Sequence, residues 1–225
     1  MISPESAQSQ RTFSAACFDL DGTLIDTEPL HLSAEGECLA TLGIDPTDPR
    51  RPRTFGMGIE AGMGLLADIF RLDPSAVLST YLPLWENNLH DRLEMLPGAG
   101  AVLSWLVDRE IPLALVTSGD AAYLDLVDSA LNLKQLFRVT IVSDDVSRTK
   151  PDPMPYLEAA HKLHVAPKTC VGFEDSEAGI AALNAAGMFS VAVHPDHASR
   201  PELRSAQRRV ANFTAVLPHL SSWFE

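Results

Sequence analysis

The sequence predicts an α/β protein: a doubly wound parallel sheet with an inserted α-helical module. Three observations predict it. Short continuous apolar runs recur along the chain, of the kind buried on both faces of a parallel sheet. Helical periods separate most of them, which is the signature of βαβ units. From about Leu30 to Leu96 the alternation stops, and helical periods follow one another with no strand between them.

Each element can be justified in chain order. Residues 13–20 form the first apolar run, which ends in acids and a glycine. The insert then shows helical periods over 31–42, stopped by Gly43, over 60–72 and over 74–93. Between the first two, residues 45–53 carry three prolines and read as a loop, while Pro83 predicts a kink or a split in the third helix. The alternation resumes with a helix through Val102, Leu103, Leu106 and Val107 and a strand at 112–116. A helix through Leu124, Val127 and Leu131 precedes a strand at 139–142. A helix through Tyr156, Ala160 and Leu163 precedes a strand at 169–173. The last pair is a helix through Ile180 and Leu183, stopped by Gly187, and a strand at 189–193. The expected organisation is an α/β core from 12–29 plus 97–225, a helical cap from 30–96, and a disordered segment 1–11.

At 225 residues, 46% of them hydrophobic, the chain can bury one sizeable core with an insertion. A net charge of -13 argues against sequence-independent binding to nucleic acid or to an anionic membrane, both of which require surplus Lys and Arg. A small anionic substrate would need a locally positive pocket. Cys17, Cys38 and Cys170 are too few and too scattered for a disulfide framework, so a reducing compartment is the simpler reading. The polar N-terminus does not resemble a secretory signal, and no apolar run approaches the roughly 18 residues of a membrane span. A cytoplasmic protein is expected, with its oligomeric state open.

In an open α/β sheet, ligands sit beyond the carboxyl ends of the strands. There the sequence places Asp19-Leu20-Asp21-Gly22-Thr23, then Thr117-Ser118-Gly119, then Lys150-Pro151, then Glu174-Asp175-Ser176. Acids converging in a crevice need a cation, and hard oxygen ligands favour Mg²⁺. Of two acids two positions apart, one can attack while the other handles the proton. An aspartate nucleophile splits phosphate ester hydrolysis into two easier steps through an acyl phosphate. Lys150 would offset the charge, and Thr117 with nearby backbone N–H groups would hold the remaining phosphate oxygens.

The segments FDLDGTLIDTEPLH, VTSG, KPDP and VGFEDSEAG, in this order, resemble the four motifs of the haloacid dehalogenase superfamily. The helical insert resembles that superfamily's cap domain on a Rossmann-like core. The EDS and TEPLH forms resemble its β-phosphoglucomutase and sugar-phosphatase branch. The resemblance implies Asp19 as nucleophile, Asp21 as general acid/base, Thr117 as phosphate ligand and Lys150 as charge stabiliser. It also implies Asp175 as a metal ligand with Asp19 and the Asp21 carbonyl, and Glu174 as a direct or indirect partner of the ion. Ser118, Gly119, His31 and Gly56 join them as substrate- or phosphate-binding candidates. His31 stands where related mutases carry a histidine linked to the acid/base aspartate, although a histidine starting a helix is as often structural.

The expected activity is Mg²⁺-dependent hydrolysis of a small phosphorylated metabolite, a sugar or polyol phosphate. The alternatives are a phosphosugar mutase and, further off, a non-catalytic module that binds a phosphorylated ligand. Ile59, where the mutases have an arginine, cannot hold a second phosphate. Arg50, Arg51 and Arg53 lie just upstream, but this proline-flanked run reads more simply as a solvated loop than as a substitute. His194, Asp196 and His197 have a metal-like composition without a ligand spacing and read as a plain loop. The cap is expected to act as a lid that selects the leaving group.

Overall fold

A computed structural model describes residues 13–54 and 57–225 of the chain. The segment 1–11 and the candidate Gly56 lie outside the described residues. The chain divides into two compact units. One takes in the chain up to Ile25, Met95–Ala121 and Leu133–Glu225; the other comprises Asp26–Glu94 and Ala122–Asn132.

The first unit is built on a sheet of six parallel strands. They are β1 (Ala15–Phe18), β2 (Leu113–Val116), β3 (Val139–Ile141), β4 (Cys170–Glu174), β5 (Phe189–Val193) and β6 (Arg208–Val210), in the order β3-β2-β1-β4-β5-β6. β1 and β2 are buried along their whole length, which is why their sequences, AACF and LALV, are unbroken apolar runs. Phe18 pairs with Leu115 on one side and Phe173 on the other, and the Phe18 and Phe173 rings stack at 4.7 Å. The strand order reverses direction between β1 and β4. A crevice forms at such a switch point, outside the carboxyl ends of the two strands. The residues following β1 and ending β4 are therefore the ones the topology brings together.

β6 is absent from the sequence reading. An edge strand of three residues, two of them Arg208 and Arg209, presents neither an apolar run nor an alternation that periodicity can detect.

The flanking helices of this unit are α4 (Ala99–Val107), α6 (Met154–Leu163), α7 (Glu177–Ala186) and the short α8 (Leu220–Phe224). α6 packs on β2 and β3, and α7 on β5 and β4. The Ser176 hydroxyl caps α7 by accepting from the Gly179 N–H at 3.0 Å, and Gly187 ends the helix with φ 76°.

The second unit contains α1 (Glu28–Thr41), α2 (Ile59–Phe70), α3 (Pro74–Arg92) and nearly all of α5 (Ala121–Leu131). α3 is one helix with Pro83 in its interior, so of the kink or split expected there, the split does not occur. Proline removes the hydrogen bond to the Ser79 carbonyl. Burial of Tyr81 and Trp85 on either side of it, together with packing on α1 and α2, keeps the helix continuous. Among the described residues, no helix is long and apolar enough to cross a membrane.

Candidate active site

The chain leaves β1 at Phe18, and the next residue, Asp19, is held against β4 by its own N–H, which donates to the Phe173 carbonyl at 3.0 Å. Its side chain is almost completely buried. Two residues later the chain turns. Gly22 has φ 77°, and a Cβ there would lie 2.4 Å from Oδ2 of Asp175. Glycine at this position thus lets the β1 turn and the end of β4 approach closely. Asp21, half-buried, bridges to Ile25 within the same turn.

Lys150 reaches the same place from the segment after β3. Its ammonium lies 2.6 Å from Oδ1 of Asp19, 2.7 Å from Oε1 of Glu174 and 2.8 Å from the Val116 carbonyl, so all three of its protons have acceptors. Glu174 is fully buried. Its Oε1 also accepts from the Tyr156 hydroxyl at 2.6 Å, and its Oε2 accepts from the Ser176 hydroxyl at 3.0 Å.

Thr117 follows β2 directly after Val116. Its N–H donates to the Ile141 carbonyl at 3.0 Å, and its hydroxyl oxygen accepts from the Gly119 N–H at 3.0 Å. The Gly119 carbonyl in turn accepts from the Ser143 N–H at 2.9 Å. The 117–119 turn is thereby pinned at both ends, with Ser118 exposed at its tip.

Carboxylate oxygens of Asp19, Glu174 and Asp175 lie within 4.8 Å of one another, the one such metal-capable group among the described residues. Burial, and then the Glu174 charge, raises the Asp19 carboxyl to about 7 despite Lys150. Burial, and then Asp19 and Glu174, raises Asp175 to about 8. Burial works against the Lys150 ammonium, but the Asp19 and Glu174 carboxylates outweigh it and hold its pKa above the ordinary lysine value. One ammonium does not neutralise three clustered acids, two of them buried. The donor set is all hard oxygen, and its charge calls for a divalent cation, so these residues fit Mg²⁺.

The structure thus brings Asp19, Lys150, Glu174 and Asp175 into one cluster, with Thr117 next to the carbonyl that Lys150 binds. His31 belongs to the helical unit. Its Nε2 lies 2.7 Å from the Thr54 hydroxyl and its Nδ1 2.6 Å from the Tyr81 hydroxyl. Thr54 spends its single hydroxyl proton on Glu35, so His31 Nε2 must be the donor in their contact. Arg51 also donates to the fully buried Glu35, and its other nitrogens reach the Leu32 and Pro46 carbonyls at 2.9 and 3.3 Å. The reading of Arg51 as part of a solvated loop is corrected by this pairing with a buried carboxylate. Arg50 pairs with Asp48 and Arg53 with Glu28. His194 Nδ1 accepts from the Asp196 N–H at 3.0 Å, as in a plain turn.

Tyr156 is the residue that sequence reasoning missed. On a helix whose buried face is otherwise apolar it reads as core, and it is fully buried. The signal available was its phenol, a polar atom that a buried position obliges to find a partner.

A model of the haloacid dehalogenase-like hydrolases matches residues 16–193. A fructose-1-phosphate phosphatase of Escherichia coli is 32% identical over 183 residues, covering 80% of this chain and 96% of that one. A phosphorylated carbohydrates phosphatase of Thermotoga maritima is 30% identical over 182 residues, covering 77% and 82%. Among solved structures, a protein of Thermotoga maritima assigned as a β-phosphoglucomutase superposes with a TM-score of 0.84 at 27% identity, covering 92% of this chain and 98% of that one. With a parallel sheet of this order, acids and a lysine meeting at its switch point, and a family match over most of its length, the chain belongs to the haloacid dehalogenase-like hydrolases.

Proposed function

We infer that the chain is a Mg²⁺-dependent phosphoric monoester hydrolase acting on small phosphorylated sugars or polyols through an aspartyl phosphate. The observation that carries this reading is the cluster itself: an aspartate at the switch point, with one carboxylate oxygen held by Lys150 and two further acids beside it. The phosphatase names of the relatives support the substrate class.

Lys150 engages Oδ1 of Asp19, which leaves Oδ2 as the attacking atom. The bond from Asp19 to phosphorus forms as the ester P–O bond breaks, and Asp21 gives its proton to the departing alkoxide. Asp21, now a base, takes a proton from water. That water attacks phosphorus, releases inorganic phosphate and restores the Asp19 carboxylate. Thr117 and the backbone of the pinned 117–119 turn hold the peripheral phosphate oxygens. Mg²⁺, held by Asp19, Asp175 and the Asp21 carbonyl with Glu174 as partner, supplies the positive charge that lets acids and phosphate share one site.

The helical unit favours phosphate release over transfer between two positions of a sugar. Arg50, Arg51 and Arg53 all have carboxylate partners within their own unit, and the apolar Ile59 opens α2. No member of this group is left over as an anchor for a second phosphate.

The test is p-nitrophenyl phosphate hydrolysis with Mg²⁺ and with excess EDTA, for the wild type and Asp19→Asn, followed by a panel of sugar and polyol monophosphates. Metal-dependent phosphate release that Asp19→Asn abolishes is expected. Near-normal turnover by folded Asp19→Asn would overturn the covalent route. Rapid interconversion of sugar 1- and 6-phosphates with little phosphate released would make the chain a mutase.

A further inference from the structure

Glu174 is tied down more heavily than a metal ligand requires. An ionised carboxylate offers about four lone-pair sites, two on each oxygen. Lys150 Nζ at 2.7 Å and the Tyr156 hydroxyl at 2.6 Å take both sites on Oε1. The Ser176 hydroxyl at 3.0 Å takes one on Oε2. A single site remains, and it is on Oε2. Tyr156 is itself fully buried, and its ring lies 5.3 Å from the Lys150 ammonium, so its hydroxyl cannot turn to water as an alternative.

We propose that Tyr156 is a positioning residue for metal selectivity: by filling Oε1 of Glu174 together with Lys150, it obliges that carboxylate to offer a cation one oxygen only. The proposal rests on the reading of Asp19, Glu174 and Asp175 as a divalent-cation site. Mg²⁺ takes near-octahedral, monodentate oxygen ligands, whereas Ca²⁺ takes more ligands and readily accepts a carboxylate through both oxygens. A Glu174 with Oε1 already occupied suits Mg²⁺ and denies Ca²⁺ its extra contact. Tyr156 touches neither cation nor phosphate in this scheme; it acts through Glu174.

The test is metal binding to the whole protein without substrate. Mn²⁺ is titrated by electron paramagnetic resonance and then displaced by Mg²⁺ or by Ca²⁺, for the wild type, Tyr156→Phe and Ser176→Ala. Phenylalanine keeps the ring, and Oε1 keeps Lys150, so no buried group is orphaned and the variant should fold. Tyr156→Phe is expected to lower the preference for Mg²⁺ over Ca²⁺ by about tenfold, the usual scale for groups behind a metal ligand. Ser176→Ala, which leaves both donors on Oε1, should keep the wild-type preference. Equal weakening of both metals in Tyr156→Phe would mean mere loosening of the fold and would overturn the proposal, as would an unchanged ratio. Failure of the wild type to bind Mn²⁺ at all would instead overturn the cation site, and the proposal with it.

Discussion

The carboxylate of Glu174 lies in the volume that a side chain at Gly179 would need: a Cβ there would be 1.8 Å from Cδ and 1.9 and 2.0 Å from the two oxygens. Helix α7 therefore begins with a gap shaped for an acid on the neighbouring strand. Glu174 has no free space to retreat into, because it is fully buried. Gly179→Ala should cost roughly 1–3 kcal/mol of stability through overpacking and weaken metal-dependent turnover by about tenfold or more. Urea melts and a Mg²⁺ titration of activity check both. Wild-type behaviour in the two together would show that Glu174 can move without consequence.

Lys150→Met removes the counter-charge from two buried carboxylates at once. Leaving one partner of a buried ion pair unpaired typically costs about 3–5 kcal/mol. The loss should be larger at pH 8 than at pH 5, where Asp19 can take a proton instead. Turnover should fall at both values, since the variant loses the group that holds Oδ1 of Asp19. Equal destabilisation at the two values would contradict the pairing.

The metal-free protein should lose stability as pH rises. Asp19 and Asp175 titrate at about 7 and about 8 in the fold, against an ordinary value of 3.8. The folded state thus binds more protons than the unfolded one between those limits. That contribution is fully present below 3.8 and is lost as pH passes through 7 and 8. In EDTA the melting temperature should be several degrees lower at pH 9 than at pH 6, and Mg²⁺ should remove most of the difference. A flat or rising profile in EDTA would sink this account.

In the helical unit, loss of Glu35 should be costly, because it is fully buried and paired. Burial pushes its carboxyl up, but His31 beside it and the hydrogen bonds from Thr54 and Arg51 outweigh burial and hold it below the usual carboxylate range. The stability it contributes is present above its unfolded value and lost as pH falls. Glu35→Ala should therefore destabilise by roughly 3 kcal/mol at neutral pH and by less near pH 3. Chemical denaturation at the two pH values would show it. A loss that did not depend on pH would assign the effect to packing alone.

Legibility from sequence divided by the kind of contact involved. Asp19, Thr117, Lys150, Glu174 and Asp175 could be found because parallel sheets put ligands after strands, and each lies next to an apolar run or a proline that marks such an end. Arg51 could not be read correctly, since its partner Glu35 sits on the preceding helix and nothing within the proline-flanked run announces it. Tyr156 was hidden in the same way: periodicity assigns it a buried face, and only the three-dimensional meeting of α6 with the end of β4 supplies the carboxylate for its hydroxyl. Pro83 does not split its helix: propensity weighs one lost hydrogen bond and not the aromatic packing on either side. The edge strand β6 left no apolar trace at all.

The place of β1 in the middle of the sheet also governs when the molecule can be made. The strand that carries Asp19 has β2 on one side and β4 on the other, both formed by much later parts of the chain. Lys150 comes 131 positions after the aspartate it pairs with. At ribosomal rates of about 5–20 residues per second, β1 emerges roughly ten seconds before that partner. Until β2 is made its apolar AACF segment has no neighbouring strand, and its other edge stays open until β4 follows, while the helices of the insert depend on more local contacts. A nascent chain stalled before β4 would thus leave one edge of β1 unpaired and aggregation-prone, and the hydrolytic centre would come into being only in the last act of folding.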